Sequence, residues 1–308
     1  MMMDRPGSQA VPQAGPAARA GGPLLNIRAR IERLDKLPPM PEMTQKIIQL
    51  SANPDAHIRE LVKVVELDPS LAAQIMRYAS SPFFSYRGKI DSLDTAITRV
   101  LGFNTVLNLA LGATAAKPFR IPRNVPLGLD AFWRHAVFSA ALVQALSSIL
   151  PAELRPPAGM AYLAGMLHNF GHLLLGHLFK NEFLILNKYI VNEPHKTVEE
   201  LELEVLGTDH GQIGAWLMTA WKLPEEVVVA AREHHNEDYH GPHAVYAQLV
   251  LIADRLLKGQ GMGDAPHGEL PPMVLESLEI GEYQAVTIAE RILEGSDGLE
   301  VMARRFAS

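Results

Sequence analysis

The sequence predicts an all-α fold, and three observations carry that prediction. Apolar residues recur at helical spacing, as Met43, Ile47 and Leu50 do. Cap and proline signals stand where helices would begin, as at Asp68-Pro69 and Pro224. No segment reads as a strand; even Val227-Val228-Val229 lies in helical context, and no sequence repeat is present.

The elements follow in order. Residues 1–26 are Gly, Pro, Ala and Gln with few large apolar groups, so a disordered tail is expected there. Ile27 to Leu34 predicts a short amphipathic helix, broken by Leu37-Pro38-Pro39-Met40-Pro41. Helices are expected over 42–52, 58–66 and 69–80, from Asp91, and over 104–116. Pro118, Pro122, Pro126 and Gly128 punctuate a linker over 117–129. It separates an N-terminal helical subdomain, 27–117, from a second one, 130–258. The second opens with Asp130 capping a helix to Leu150, and Ala161 to Lys180 reads as helical throughout. Further helices are expected over 194–206 with an acidic first turn, over 209–221, from Pro224, and over 246–258. Gly259-Gln260-Gly261-Met262-Gly263 lacks the Lys and flanking strand of a phosphate loop and reads as a flexible hinge. Residues 264–308 are expected to add a helical extension, with segments near 271–278 and 282–294.

Composition narrows the function. The chain has 308 residues, and with 48% hydrophobic and 20% charged residues it can build a core. A net charge of -6 argues against broad nucleic-acid binding, because an acidic surface repels phosphate backbones. With no cysteine there is no disulfide framework, thiolate metal site or Cys nucleophile. The start, Met1-Met2-Met3-Asp4-Arg5-Pro6, lacks the apolar run of a signal peptide. The most apolar stretch, Ala136 to Leu150, carries Ser139, Gln144, Ser147 and Ser148 and reads as a buried helix rather than a membrane span. A cytoplasmic location without membrane insertion is expected. No nucleophile-elbow pattern supports a Ser/His/Asp arrangement.

The 12 histidines hold the chemical signal. Its centre is Gly165-Met166-Leu167-His168-Asn169-Phe170-Gly171-His172. His135 precedes His168 by 33 residues (168 − 135), and His210, the pair His234-His235 and Asp254 follow. With Leu37-Pro38-Pro39-Met40-Pro41, Asp68-Pro69-Ser70-Leu71 and the stretch from Ile97 to Leu101-Gly102, this set resembles the HDOD (HD-related output domain) family over residues 30–258. That family is a divergent branch of the HD and HD-GYP phosphohydrolases. The resemblance implies an HD-like helical fold and a non-catalytic signalling role. It places His135, His168, Asn169, His172, His210, His234, His235 and Asp254 in a vestigial pocket, with His135, His168, His234 and Asp254 as candidate metal ligands.

Two departures from the hydrolase pattern bear on activity. Asn169 stands where the hydrolases carry an acid, and a neutral amide neither bridges two cations well nor supplies charge. By this count Asp254 is the sole anion left to face up to four positive charges. His172 stands where HD-GYP enzymes carry Lys. We therefore expect no enzymatic activity and no required cofactor, with a single divalent ion as the exception the histidines allow. The alternative is a metal-dependent phosphohydrolase with a degenerate site; a regulator that holds metal without turnover is a third reading.

Plainer readings stand beside each residue. His168 and His172, four apart, could share a helix face as a metal pair or as a buried polar pair. His234 and His235 could be ligands or cap a helix C-terminus. Asp254 could be a ligand or simply a partner for Arg255 or a neighbouring His. Gly211, Gly214 and Ala215 suit a close helix approach, and Trp133, Trp216 and Trp221 suit the core. His240 and His243 are expected in solvent, and His57, His177, His195 and His267 to be structural or exposed. No length is left for a receiver domain, so signalling partners are expected to act in trans.

Overall fold

The structure, a computed structural model, describes residues 23–31, 37–51, 53, 55–81, 84 and 86–307. Most of the expected disordered tail lies outside them. Its described end does not dangle: Leu24, Leu25 and Ile27 donate backbone hydrogen bonds to Glu204, Val205 and Leu206. No strand occurs among the described residues.

The N-terminal half is built from α1 (Arg28–Ile31), α2 (Glu42–Ser51), α3 (Ile58–Glu66), α4 (Pro69–Ala79), α5 (Leu93–Thr95) with a π-helical turn (Ala96–Leu101), and α6 (Phe103–Ala115). The predicted cap at α4 is present. Asp68 accepts from the amides of Ser70 and Leu71, with Pro69 as the first helical residue. The far side of the Asp68 carboxylate pairs with Lys117. Thr44 donates to Thr114 across α2 and α6, 3.0 Å apart, which satisfies two buried hydroxyls in an otherwise apolar interface.

The C-terminal half comprises α7 (Leu129–Ser148), α8 (Ala158–Leu167), α9 (Phe170–Leu178), α10 (Lys180–Asn192), α11 (Val198–Leu206), α12 (His210–Ala220), α13 (Glu225–Glu233) and α14 (Ala244–Lys258). α15 (Pro272–Ser277), α16 (Glu282–Glu294) and α17 (Asp297–Phe306) follow. Helix α7 packs against α8, α14, α16 and α17 at the centre, and α6 against α8 joins the halves. Helix α17, which the sequence reading lacks, packs on both α4 and α7. The extension therefore belongs to one continuous core.

Three local expectations are corrected. Asp130 lies in the first turn of α7 and pairs with Arg123, while Gly128 is the N-cap. Helix α11 begins at Val198 rather than near 194, because Thr197 and Glu200 form a capping box: Thr197 Oγ1 accepts from the Glu200 amide and Glu200 Oε2 from the Thr197 amide. The segment expected to be helical from 161 to 180 breaks at His168-Asn169. The break lets α9 leave α8 at a new angle and press against α12. A Cβ on Gly171 would stand 1.8 Å from the His210 carbonyl oxygen, so only glycine permits this approach.

No single helix among the described residues is long and apolar enough to cross a membrane; Leu93–Leu101 with Phe103–Ala115 passes by composition only as a pair bent by 116°. Trp133 and Trp221 are buried, and Trp221 Nε1 donates to the Pro38 carbonyl at 3.0 Å; Trp216 is half-buried.

Candidate metal centre

The predicted histidines converge at the junction of α7, the α8–α9 break, α12, the end of α13 and α14. Two groups of donors lie side by side. The first is His135, His168 and Asp254; the second is His210, His234, His235 and Asp264. All are buried except His235, which is nearly so.

In the first group His135 Nε2 lies 3.1 Å from His168 Nε2. Asp254 Oδ1 is 3.2 Å from His135 Nε2 and 3.6 Å from His168 Nε2, close but not aligned for hydrogen bonding. In the second, His210 Nε2 lies 3.2 Å from His234 Nε2 and 3.2 Å from Asp264 Oδ2. His235 Nε2 is 3.7 Å from the same oxygen.

The outer nitrogens decide what the inner ones present. A carbonyl or carboxylate oxygen can only accept, so the ring nitrogen facing it carries the hydrogen. His168 Nδ1 donates to the Gly165 carbonyl, His234 Nδ1 to the Ala231 carbonyl, each at 2.8 Å, and His210 Nδ1 to Glu202 Oε2 at 2.7 Å. Each ring therefore turns its Nε2 inward, as metal-ligating histidines do when an outer partner fixes the tautomer.

Glu202 anchors the second group. Its Oε2 also accepts the His210 amide at 2.9 Å, satisfying a free N–H at the start of α12, and its Oε1 accepts from His172 Nε2 at 3.0 Å. Burial raises the Glu202 carboxyl, but His210 and His172 outweigh it and bring it to about 2. Burial opposes charge on His210, yet Glu202 and Asp264 push it up to about 10. Burial takes His168 down to about 4 and His234 well below its usual value. Burial also acts against His135, but Asp254 raises it. Asp264 is likewise raised by burial and lowered further by His210 and His235, to well below the carboxylate range.

The donor set fits divalent transition-metal ions, which imidazole and carboxylate ligands suit together. Both Asp254 oxygens, Asp264 Oδ2 and His235 Nε2 are buried without a hydrogen-bond partner. Leaving such groups unmet costs several kcal/mol in total, roughly 1–3 kcal/mol each and more for charged ones, and a cation would meet them.

The expected residues do not all meet as expected. His168 ends α8 and His172 lies in α9, so the two do not share a face; His172 joins Glu202 instead. His234 ends α13 and also faces the centre, so the capping and ligand readings coincide there. Arg255 pairs with Glu237 rather than with Asp254. His57, His195, His240, His243 and His267 are exposed, and His177 Nδ1 accepts the Arg120 amide.

Two residues escaped sequence reasoning. Glu202 lies in the helix read from its acidic first turn, where nothing in the sequence sets it apart from Glu199, Glu200 and Glu204. Asp264 follows the glycine run read as a hinge; the glycines of that run are exposed, but Met262 within it and Asp264 and Ala265 just after it turn into the core, so it passes over the centre as a strap. Asp254 is consequently not the sole anion: Asp264 is a second, and Glu202 a third behind His210.

A narrow cleft of about 50 Å³ reaches the centre, lined by residues that include Pro126, Phe132, His135, Asn169, His172 and Asp264. No Lys or Arg lines it.

Comparison with known proteins agrees with this architecture. A signal transduction protein of Marinobacter aquaeolei VT8 is similar in structure, with a TM-score of 0.79 and 36% identity over 92% of this chain and 62% of that one. An HDOD domain protein of Geobacter sulfurreducens superposes at 0.71 with 21% identity, covering 91% and 96%. A metal-dependent phosphohydrolase of Shewanella amazonensis SB2B does so at 0.57 with 19% identity, covering 91% and 95%. The last two likenesses are of fold alone. A protein of Treponema pallidum (strain Nichols) is 24% identical over 271 residues, 86% of this chain, and this chain spans about half of that relative's length. The HDOD domain matches residues 37–237, which hold every predicted pocket residue except Asp254. With two thirds of its length in that match and the fold to go with it, the chain belongs to the HDOD domain family.

Proposed function

We propose that this chain is a signal-transduction module that holds divalent metal in a closed centre and does not turn over phosphate esters. One observation carries the reading: two abutting groups of buried, inward-turned donors, with unmet carboxylate oxygens, beside a cleft of about 50 Å³. Sites for small ligands run from roughly 300 to 1,000 Å³, so the centre is shaped for ions and not for a nucleotide.

The residues around the cleft support the same reading. Phosphate esters are recognised by cationic donors, and the cleft has no Lys or Arg. His172 takes the place of the hydrolase lysine, but its Nε2 hydrogen is committed to Glu202. When bound, divalent ions supply Lewis-acid activation of phosphoryl groups and water; this chain gives them ligands and withholds a substrate pocket. The name of the Marinobacter relative supports a signalling role. In this reading the module works in the cytoplasm and acts by contact with signalling proteins in trans.

The competing reading is a metal-dependent phosphohydrolase, favoured by the carboxylate that Asp264 brings to the second group. Purified protein loaded with manganese(II) or iron(II) is assayed against cyclic dinucleotides and simple phosphodiesters. We expect no turnover above buffer. Turnover abolished by His168→Ala would establish the hydrolase instead.

A further inference from the structure

The geometry points to Asp264 as a relocated acid: it supplies, from a loop 95 residues further along the chain (264 − 169), the carboxylate that Asn169 does not. This inference rests on the reading of the centre as a metal site and concerns where its second first-rank anion comes from.

The two side chains are in contact and complementary. Asn169 Nδ2 donates to Asp264 Oδ1 at 3.2 Å. An amide there orients the incoming carboxylate; an aspartate at 169 would set two anions against each other at that separation. The neutral residue at 169 is therefore the partner that a displaced acid requires.

The Asp264 carboxylate also lies between the two donor groups. Oδ1 is 4.0 Å from His135 Nε2 in the first group. Oδ2 faces the second, 3.2 Å from His210 Nε2 and 3.7 Å from His235 Nε2, and it has no hydrogen-bond partner although it is buried. One oxygen is held by the amide and the other is left for a cation. Simple charge pairing with surface groups does not account for this, because Asp264 is only 2% exposed.

The loop is built to deliver that side chain. Gly261 and Gly263 adopt φ values of +71° and +81°, a region that favours glycine. A Cβ on Gly263 would stand 2.5 Å from His135 Cε1, so the strap passes the ring only as glycine. The Met262 amide donates to the Leu257 carbonyl at 3.0 Å and pins the strap to the end of α14. The same strap thus supplies an anion and covers His135.

The test moves the acid. Wild type, Asp264→Asn and the double variant Asn169→Asp/Asp264→Asn are stripped with chelator and titrated with zinc(II) or manganese(II). Bound metal is then counted by elemental analysis after desalting. Circular dichroism melts of the stripped proteins confirm that each variant is folded. We expect wild type to retain two ions per chain, Asp264→Asn to lose one, and the double variant to regain it. The regained ion separates a ligand from a merely structural residue, because a damaged loop is not repaired by an acid at 169. Two ions retained by Asp264→Asn, or no recovery in the double variant, would overturn the relocation while leaving the metal centre standing. Absence of metal from wild type would refute the centre itself.

Discussion

The two halves of the molecule are stabilised in different ways. In the N-terminal half the buried polar side chains are few and neutral: Thr44, Ser81, Thr105, Asn108 and Thr114. In the C-terminal half the same helical packing encloses His135, His168, His172, Glu202, His210, His234, Asp254, Arg255 and Asp264. Among the described residues, every buried His, Asp, Glu and Arg lies there. Burying ionisable groups is costly unless they are paired or bind metal. Among the described residues the first half therefore buries only neutral polar groups, and the second has an interior whose buried donors could hold a cation.

The strongest way to break this comparison is through the packing that both halves share. Gly171→Val drives a side chain into the His210 backbone, and a loss of roughly 3 kcal/mol or more is expected, the upper end for overpacking. Urea unfolding of the variant checks it; a loss below 1 kcal/mol would show that α9 and α12 adjust freely. Next, Leu109→Ala in the N-terminal half empties a fully buried site and should cost about 2–5 kcal/mol. The cost should be equal with and without metal, and unequal losses in parallel unfolding curves would deny the division of labour.

Glu202→Gln sharpens the contrast from the other side. It keeps the shape and removes the charge that holds His210, and metal affinity should fall about 10–100-fold, as for other outer-sphere partners. Competition against a fluorescent chelator reads this directly; unchanged affinity would leave Glu202 a purely structural acid. The smallest effect belongs to Asp68→Ala, which removes a helix cap and should cost about 1 kcal/mol. Burial raises the Asp68 carboxyl, but its hydrogen bonds from Lys117, Leu71 and Ser70 bring it below the usual value. A depressed carboxyl contributes stability that is present above its unfolded pKa, about 3.9, and is lost as pH falls through the lower folded value. The gap between wild type and Asp68→Ala should thus narrow below about pH 4, and a constant gap across pH 3–7 would contradict it.

Much of the fold was legible because its signals are local. The Asp68 cap, the Pro224 start and the spacing of Met43, Ile47 and Leu50 are each read within one or two turns. His135, His168, His210, the His234-His235 pair and Asp254 were legible as a set through their pattern along the chain. The break at His168-Asn169 was not, since what goes with it, the close approach of α9 to α12 at Gly171, is a tertiary contact. Asp264 was hidden for the same kind of reason. Its neighbours Gly261 and Gly263 look like a solvent hinge until His135 is seen to lie against Gly263. Counting anions within the sequence pattern alone left Asp254 by itself; the fold brings in Asp264 and Glu202.

The most direct test is the melting temperature of the chelator-stripped wild-type chain with and without zinc(II) or manganese(II). Binding to the folded state alone adds about 2.7 kcal/mol at a free metal concentration a hundredfold above Kd, a rise of several degrees. The account predicts that rise, together with metal retained after desalting; an unshifted transition with no metal retained would contradict it.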